Sequence, residues 1–333
     1  MHAIKYLVAG LGRIGRLHAE MLKTSIPNAE LHAVCDVVEP LAKSVAERLK
    51  VRAYTSYDKA LSDPEIDAVV IATPTFLHKE MTVKALEAGK HVFLEKPLAP
   101  SLPDAKEIAN RVKSSGLKFM IGYMRRFDHY YRRAKSLVES GALGRVISFT
   151  SIARDPSPPP GWAADPQLSG GIFLDQLSHD FDIARWIVGE VKEVYVVGGN
   201  YVSEEIKTKG DLDVVSIIVK FNNDAQGFIH GARRNTFGYD LRTEIYCEKG
   251  TIFVGVPMDT MMSIGTGNGV SYGGVAWFEK RFLEAYMEEL RHFTSAIIED
   301  EEPLISVDDG LRLVEIAEAC WRSYRERKPV SVS

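Results

Sequence analysis

One short segment constrains this chain more than any other: a strand-like apolar run at 5–9 leads straight into Gly10-Leu11-Gly12-Arg13-Ile14-Gly15, and a helical pattern follows at 14–23. A G-x-G-x-x-G placed between a strand and a helix has a physical reading. Gly10 permits the tight turn, Gly12 lets the backbone approach a pyrophosphate, and Gly15 lets helix and strand pack closely. The phosphates then sit at the helix N-terminus, beside Arg13 and Ile14. Asp36 lies 21 residues beyond Gly15, at the end of the second strand-like run. A carboxylate there accepts hydrogen bonds from an adenosine ribose. Val37, Val38 and Glu39 come next, with no Arg or Lys to meet a 2′-phosphate, so the expected cofactor is NAD rather than NADP.

The surrounding rhythm agrees. Up to residue 122, apolar runs at 5–9, 30–35, 53–55, 67–72, 91–94 and 118–121 alternate with helical windows at 14–23, 40–49, 76–87 and 103–115. Strands alternating with helices predict an α/β Rossmann domain over 1–122, with a doubly wound parallel sheet. Beyond it the pattern changes to a helix at 128–140, an alternating run at 145–153, a Pro-rich loop at 155–161 and a helix at 171–188. Strand-like runs then fall at 193–197, 214–221, 227–232, 243–247 and 251–254, and helices at 282–299 and 310–327 close the chain. A block of strands outside the βα rhythm predicts a second, α+β domain over 123–333 with a large, mostly antiparallel sheet.

Composition narrows the function classes. Among 333 residues, 41 Lys+Arg against 45 Asp+Glu leave a net charge of -4, which provides no field for nucleic acid or an anionic membrane. No apolar run approaches the ~20 residues that cross a bilayer. Three cysteines without C-x-x-C spacing argue against a disulfide framework and a cysteine metal site. The N-terminal segment lacks the pattern of a signal peptide, so the expectation is a cytoplasmic protein with a small-molecule substrate.

In an open parallel sheet, ligands bind beyond the carboxyl ends of the strands. Those ends carry Thr73-Pro74, followed by His78, then Glu95-Lys96-Pro97 and Gly122-Tyr123. Lys96, at the mouth of an apolar strand, can donate to a substrate hydroxyl and stabilise alkoxide charge; paired with Glu95, it would be an ordinary loop lysine. His78 reads equally as a helix-end packing residue or a cofactor contact. A second constellation is Asp175, His179 and Asp182, which share one face of a continuous helix over 171–188. A histidine one turn from a carboxylate has the orientation and tunable proton affinity of a general base. With two carboxylates and a single histidine as the only ligands, no metal site is expected.

Taken in order, Gly10-Leu-Gly-Arg-Ile-Gly15, Asp36, Thr73-Pro74, Glu95-Lys96-Pro97, Gly122-Tyr-Met-Arg-Arg-Phe-Asp128 and Asp175-x-x-x-His179-Asp-x-Asp182 resemble the glucose–fructose oxidoreductase and inositol dehydrogenase family over nearly the whole chain. Arg154-Asp155-Pro156 and Gly238-Tyr239-Asp240 are most similar to the inositol 2-dehydrogenases. The resemblance implies NAD-dependent oxidation of a ring secondary alcohol. Under it His179 takes the hydroxyl proton, Lys96 holds the oxygen, and Asp175 orients Lys96 or the substrate, while Arg126, Asp155, Asp182 and Tyr239 line a polyol site. It also implies an open sheet whose outer face makes homodimer and homotetramer contacts. Gln176, Leu177 and Ser178 depart from the apolar or threonine residues common between the Asp and His of inositol dehydrogenases, and the Trp162 segment also differs. These departures keep a sugar or aminosugar as the alternative substrate. A redox-neutral enzyme holding NAD tightly is a rarer alternative, and a non-catalytic NAD-binding sensor is the reading of a different class.

Overall fold

The computed structural model describes residues 3–255, 258–266, 269–274 and 277–332. The chain divides into two units: Met1–Met124 with Glu284–Val314, and Arg125–Leu283 with Glu315–Ser333.

The first unit is built on β1 (Ile4–Ala9), β2 (Ala29–Cys35), β3 (Arg52–Tyr54), β4 (Ala68–Ile71), β5 (His91–Glu95) and β6 (Phe119–Gly122). They lie in the order β3-β2-β1-β4-β5-β6, and every pairing is parallel. This is the doubly wound sheet that the βα rhythm predicts, with the strand order reversing at β1 and β4. Helices cover both faces of such a sheet, which is why its strands read as unbroken apolar runs. Val69, Val70, Val92, Phe93 and Leu94 have no exposed surface. The helix Leu283–Ile298 belongs to this unit: Phe293 meets Phe93 edge-on at 5.8 Å, and the Tyr6 hydroxyl lies 2.8 Å from Thr294 Oγ1.

The second unit carries β7 (Val146–Arg154), β8 (Val191–Gly199), β9 (Val214–Phe221), β10 (Gln226–Ala232), β11 (Asp240–Cys247) and β12 (Gly250–Val254). A hairpin, β13 (Met258–Thr266) and β14 (Gly269–Gly274), and a final strand, β15 (Val330–Ser331), follow. The large sheet runs β12-β11-β7-β10-β9-β8-β15, antiparallel except for the β10–β7 pair. Its inner face is buried: Val215, Ile217 and Val219 of β9 and Ile229 of β10 are fully covered. Gly231 lets Leu177 come close, since a Cβ there would stand 2.9 Å from its side chain. Along β9 the alternate residue Ile218 is 49% exposed, the period-2 signature of a sheet with one open face. Among the described residues no helix is long and apolar enough to cross a membrane.

Candidate active site

In the first unit the glycine motif has the geometry the sequence requires. Gly10 sits at φ +88°, and a Cβ there would lie 2.7 Å from the Ala72 carbonyl oxygen; a Cβ on Gly15 would lie 1.8 Å from the carbonyl oxygen of Gly10. Both positions exclude any side chain. Gly12 instead faces open space, with nothing within 4 Å of its added Cβ. It caps the helix Arg13–Thr24 without a side-chain hydrogen bond and with no acidic residue in the first turn, leaving the positive helix end for an anion.

Asp36 is tied to the same loop: Oδ2 accepts from the Leu11 amide at 2.8 Å and Oδ1 from the Val38 amide at 2.9 Å. A carboxylate has about four acceptor sites, so these two bonds aim it while leaving capacity for a ribose diol. Val37 and Val38 are 87% and 53% exposed, so the two residues that follow Asp36 present apolar side chains rather than a cation. These groups fit NAD. Thr73, Pro74 and Lys96 are half-buried at neighbouring strand ends, and Glu95 accepts from the Lys96 amide at 3.1 Å. His78 is buried, with Nδ1 at 2.7 Å from the Pro97 carbonyl and Nε2 at 3.0 Å from the Thr73 carbonyl. It bridges the two strand-end loops, and burial lowers its pKa.

In the second unit the continuous helix expected over 171–188 is interrupted. Gly170 and Gly171 take φ +82° and +70°, Ile172–Gln176 forms a π-helical turn, and the α-helix starts again at Ser178–Ile187. Tertiary hydrogen bonds hold the break at both ends. The Ile172 amide donates to Asp211 Oδ1 at 3.1 Å, and Gln176 Nε2 donates to the carbonyls of Ala232 at 2.9 Å and Ala153 at 3.2 Å. Asp175 therefore lies on the π turn and His179 and Asp182 on the following helix, not on one continuous α-helical face. Such turns recur at functional sites. The apolar stripe is as expected, with Leu177, Phe181, Ala184 and Val188 all buried.

Asp175 Oδ2 accepts from Arg233 Nη1 at 2.8 Å. Arg126 and Asp182 are buried against each other, joined by Nε and Nη2 contacts of 2.6–3.1 Å. Arg125 pairs with Asp180 at 2.9 Å, and Asp180 also accepts from the Ser151 hydroxyl at 2.6 Å. Tyr239 is buried, and burial raises its pKa while the Arg125 guanidinium opposes the rise. The Asp155 amide donates to Ala232 O at 3.0 Å, holding it at the β7–β10 strand end, and its charge bears on both Tyr239 and Arg233. The motifs do not reveal Arg233. The signal open to sequence reading was an arginine pair, Arg233-Arg234, at the end of an apolar strand.

Known proteins share this architecture. Residues 4–123 match the oxidoreductase family with an NAD-binding Rossmann fold, and 131–253 match the GFO/IDH/MocA C-terminal domain. The chain belongs to the GFO/IDH/MocA oxidoreductase family. It is 36% identical to the Bacillus subtilis scyllo-inositol 2-dehydrogenase (NAD(+)), covering 99% of this chain and 97% of that protein. It is 37% identical to the Thermotoga maritima myo-inositol 2-dehydrogenase, covering 98% and 97%. The Lactobacillus casei scyllo-inositol dehydrogenase, solved with NAD(H) and scyllo-inositol bound, superposes with a TM-score of 0.92 at 31% identity, covering 99% of both chains.

Proposed function

We propose that this chain is an NAD-dependent cyclitol dehydrogenase, oxidising one ring secondary alcohol of myo-inositol or a stereoisomer to the ketone. The observation that carries the reading is the polar set of the second unit, where Asp155, Asp175 and Tyr239 are backed by the guanidinium groups of Arg125 and Arg233. A ring bearing a hydroxyl on every carbon needs such a set, because each buried hydroxyl without a partner costs about 1–3 kcal/mol. Full-length similarity to proteins named for inositol oxidation supports it.

The chemistry that NAD supplies when bound is acceptance of the hydride from the alcohol carbon. Gly10, Gly12, Arg13, Ile14 and Gly15 would hold its pyrophosphate and Asp36 its ribose, with Thr73, Pro74, Glu95 and Lys96 along the strand ends and His78 supporting Thr73. Lys96 donates to the alcohol oxygen and favours its anionic form. His179 accepts the hydroxyl proton. Asp175 accepts from a neighbouring ring hydroxyl and so fixes which carbon reacts. Asp155 and Tyr239 bind further hydroxyls, and Arg126 with Asp182 acts as one neutral polar pair.

The exposed sheet face supports self-association, as homodimer or homotetramer. Tyr195, Ile218 and Phe228 lie in one row across β8, β9 and β10, and Val197, Tyr246 and Phe253 add exposed apolar surface. A patch of this kind favours burial against another copy. Oxidation of a polyol with free NAD supports a cytoplasmic location under this reading.

The test is NADH absorbance at mildly alkaline pH with myo-, scyllo- and chiro-inositol and a panel of monosaccharides. NADH from an inositol is the expected result. A monosaccharide oxidised far faster than every inositol would overturn the substrate assignment, and no NADH from any of them would overturn the dehydrogenase reading.

A further inference from the structure

Arg233 is buried without exposed surface and spans two carboxylates. Nη1 donates to Asp175 Oδ2 at 2.8 Å and Nη2 to Asp211 Oδ2 at 2.9 Å. The Asp211 side chain is fully covered, whereas that of Asp175 retains 21% of its exposure. One end of the guanidinium fork is therefore anchored in the interior, and the other reaches the carboxylate that faces outward.

The anchor is built on several sides. Asp211 Oδ1 accepts from the amide of Ile172, the first residue of the π turn that carries Asp175. It reaches that amide because residue 171 is glycine, where a Cβ would lie 2.8 Å from Asp211 Oδ1. The Arg233 amide donates to the Asp213 carbonyl at 2.8 Å, and the Asp213 carboxylate accepts from the amides of Tyr201, Val202 and Ser203, each at 2.8 Å. At the far end of the turn, Gln176 binds the Ala232 carbonyl, adjacent to Arg233. One end of the π turn is thus tied to the carboxylate that holds the guanidinium, and the other to the segment that presents it.

A fully desolvated ion pair is a poor device for stability alone, since apolar residues of similar volume often serve as well or better. Arginine offers something apolar residues do not: a permanent charge and a planar fork that fixes the direction of a carboxylate. We propose that Arg233, held by Asp211, is a positioning residue for Asp175, setting the direction of its carboxylate and keeping it anionic. The inference rests on the cyclitol dehydrogenase reading. The charged groups bearing on the guanidinium are Asp211, Asp175 and Asp155.

The test compares wild type, Arg233→Met, Arg233→Lys and Asp211→Asn for kcat, KM, NAD affinity and the carboxyl 13C titration of Asp175, assigned with Asp175→Asn. Arg233→Met is expected to lower kcat/KM roughly 100-fold, the scale of a misplaced site group, with NAD affinity unchanged. Without the cation the carboxyl 13C midpoint of Asp175 moves up by about one pH unit or more. Arg233→Lys restores part of the rate because it keeps the charge but not the fork. Asp211→Asn leaves the guanidinium to Asp175 alone and moves the midpoint to lower pH. A lowered rate that Arg233→Lys partly restores, with opposite midpoint displacements in the Met and Asn variants, is the signature of positioning; a residue that only holds the fold would move neither midpoint. Wild-type kcat/KM and an unmoved midpoint in folded Arg233→Lys and Asp211→Asn would overturn the proposal, even where Arg233→Met fails to fold. If wild type gives no NADH from any inositol, the substrate reading falls. The positioning is then decided by the Asp175 titration alone. A change of midpoint in Arg233→Lys or Asp211→Asn supports it, and an unchanged midpoint overturns it.

Discussion

Replacing Glu289 by glutamine should stabilise this protein, and by an amount that grows with pH. Glu289 lies on the helix Leu283–Ile298, has no exposed surface, and neither carboxyl oxygen has a hydrogen-bond partner. Ligand atoms of His18, Glu95 and Glu289 lie within 4.8 Å of one another. Glu95 holds the donors of this cluster, with His18 Nε2 at 2.6 Å and the Lys96 amide at 3.1 Å. Aromatic edges close the pocket, with the His18 ring 5.3 Å from Phe93 and 5.8 Å from Tyr286. Burial first, and the Glu95 charge second, raise the Glu289 pKa well above its ordinary 4.5, which favours the neutral acid in the fold.

An acid whose pKa is raised by folding binds more protons folded than unfolded. Its contribution is present in full below the unfolded value of 4.5 and is lost as pH rises toward the folded value. Over that window wild type loses about 1.4 kcal/mol per pH unit relative to a residue that does not titrate. Glutamine is such a residue and has the shape of the protonated acid. With an unfolding entropy of about 2.1 cal/mol/K per residue, 333 residues give about 0.7 kcal/mol/K, so each pH unit widens the gap by about 2 °C. Calorimetry of both proteins from about pH 5 to pH 8 reads the slope directly. A gap that stays flat across that range, or a variant less stable by the same amount at every pH, would mean that Glu289 is ionised in the fold and would refute the argument.

Four further outcomes follow from the same geometry. Gly15→Ala forces a Cβ into a space 1.8 Å from the Gly10 carbonyl, so NAD binding should be lost with a stability cost of about 1–3 kcal/mol, read by cofactor fluorescence titration and thermal melting. Asp36→Ala removes the carboxylate that the Leu11 and Val38 amides aim at the ribose, and a Kd for NAD raised at least about 10-fold is expected from one charge-assisted bond of about 1.5 kcal/mol; an unchanged Kd would move the ribose elsewhere. Lys96→Ala should lower turnover by about 100-fold or more while NAD still binds, on the scale of losing one donor to a developing oxyanion. Ile218→Asp places a charge in the middle of the exposed sheet row, and light scattering should then report a smaller assembly than wild type.

What was legible in the sequence is what local physics dictates. The G-x-G-x-x-G turn is set by backbone approach at Gly10 and Gly15, which no neighbour can override, and the parallel sheet by apolar runs covered on both faces. The strands β9 and β12 fall within a residue of the alternating runs because one face is wet. Elements with little pattern of their own escaped: the helix Tyr57–Leu61, capped locally by Ser56, is too short to show a helical period, and the two-residue strand Val330–Ser331 exists through pairing with β8. The π turn escaped for the same reason. Its residues read as a good helix, and the bonds that hold it, from the Ile172 amide to Asp211 and from Gln176 to two strand carbonyls, come from segments remote in sequence.

The site divides along the same line. Lys96, Asp175 and His179 stand in motifs, so their residue types alone suggest chemistry, whereas the groups that set their properties are remote in sequence. Arg233 meets Asp175 across 58 residues and Asp211 across 22, from the end of an apolar strand. Glu289 sits between Tyr286 and Leu290 on the buried face of its helix, where a carboxylate has to be neutralised by a cation or by its own proton. Arg233 is held by two carboxylates, and Glu289 faces a carboxylate already occupied by His18. Opposite charge in one place and like charge in the other therefore give the two units opposite electrostatic solutions. Beside Asp175 a buried cation favours the anion, and beside Glu95 burial and a like charge raise the Glu289 pKa. A sequence lists all six side chains involved, but the pairing that decides which carboxylate stays charged is created by the fold.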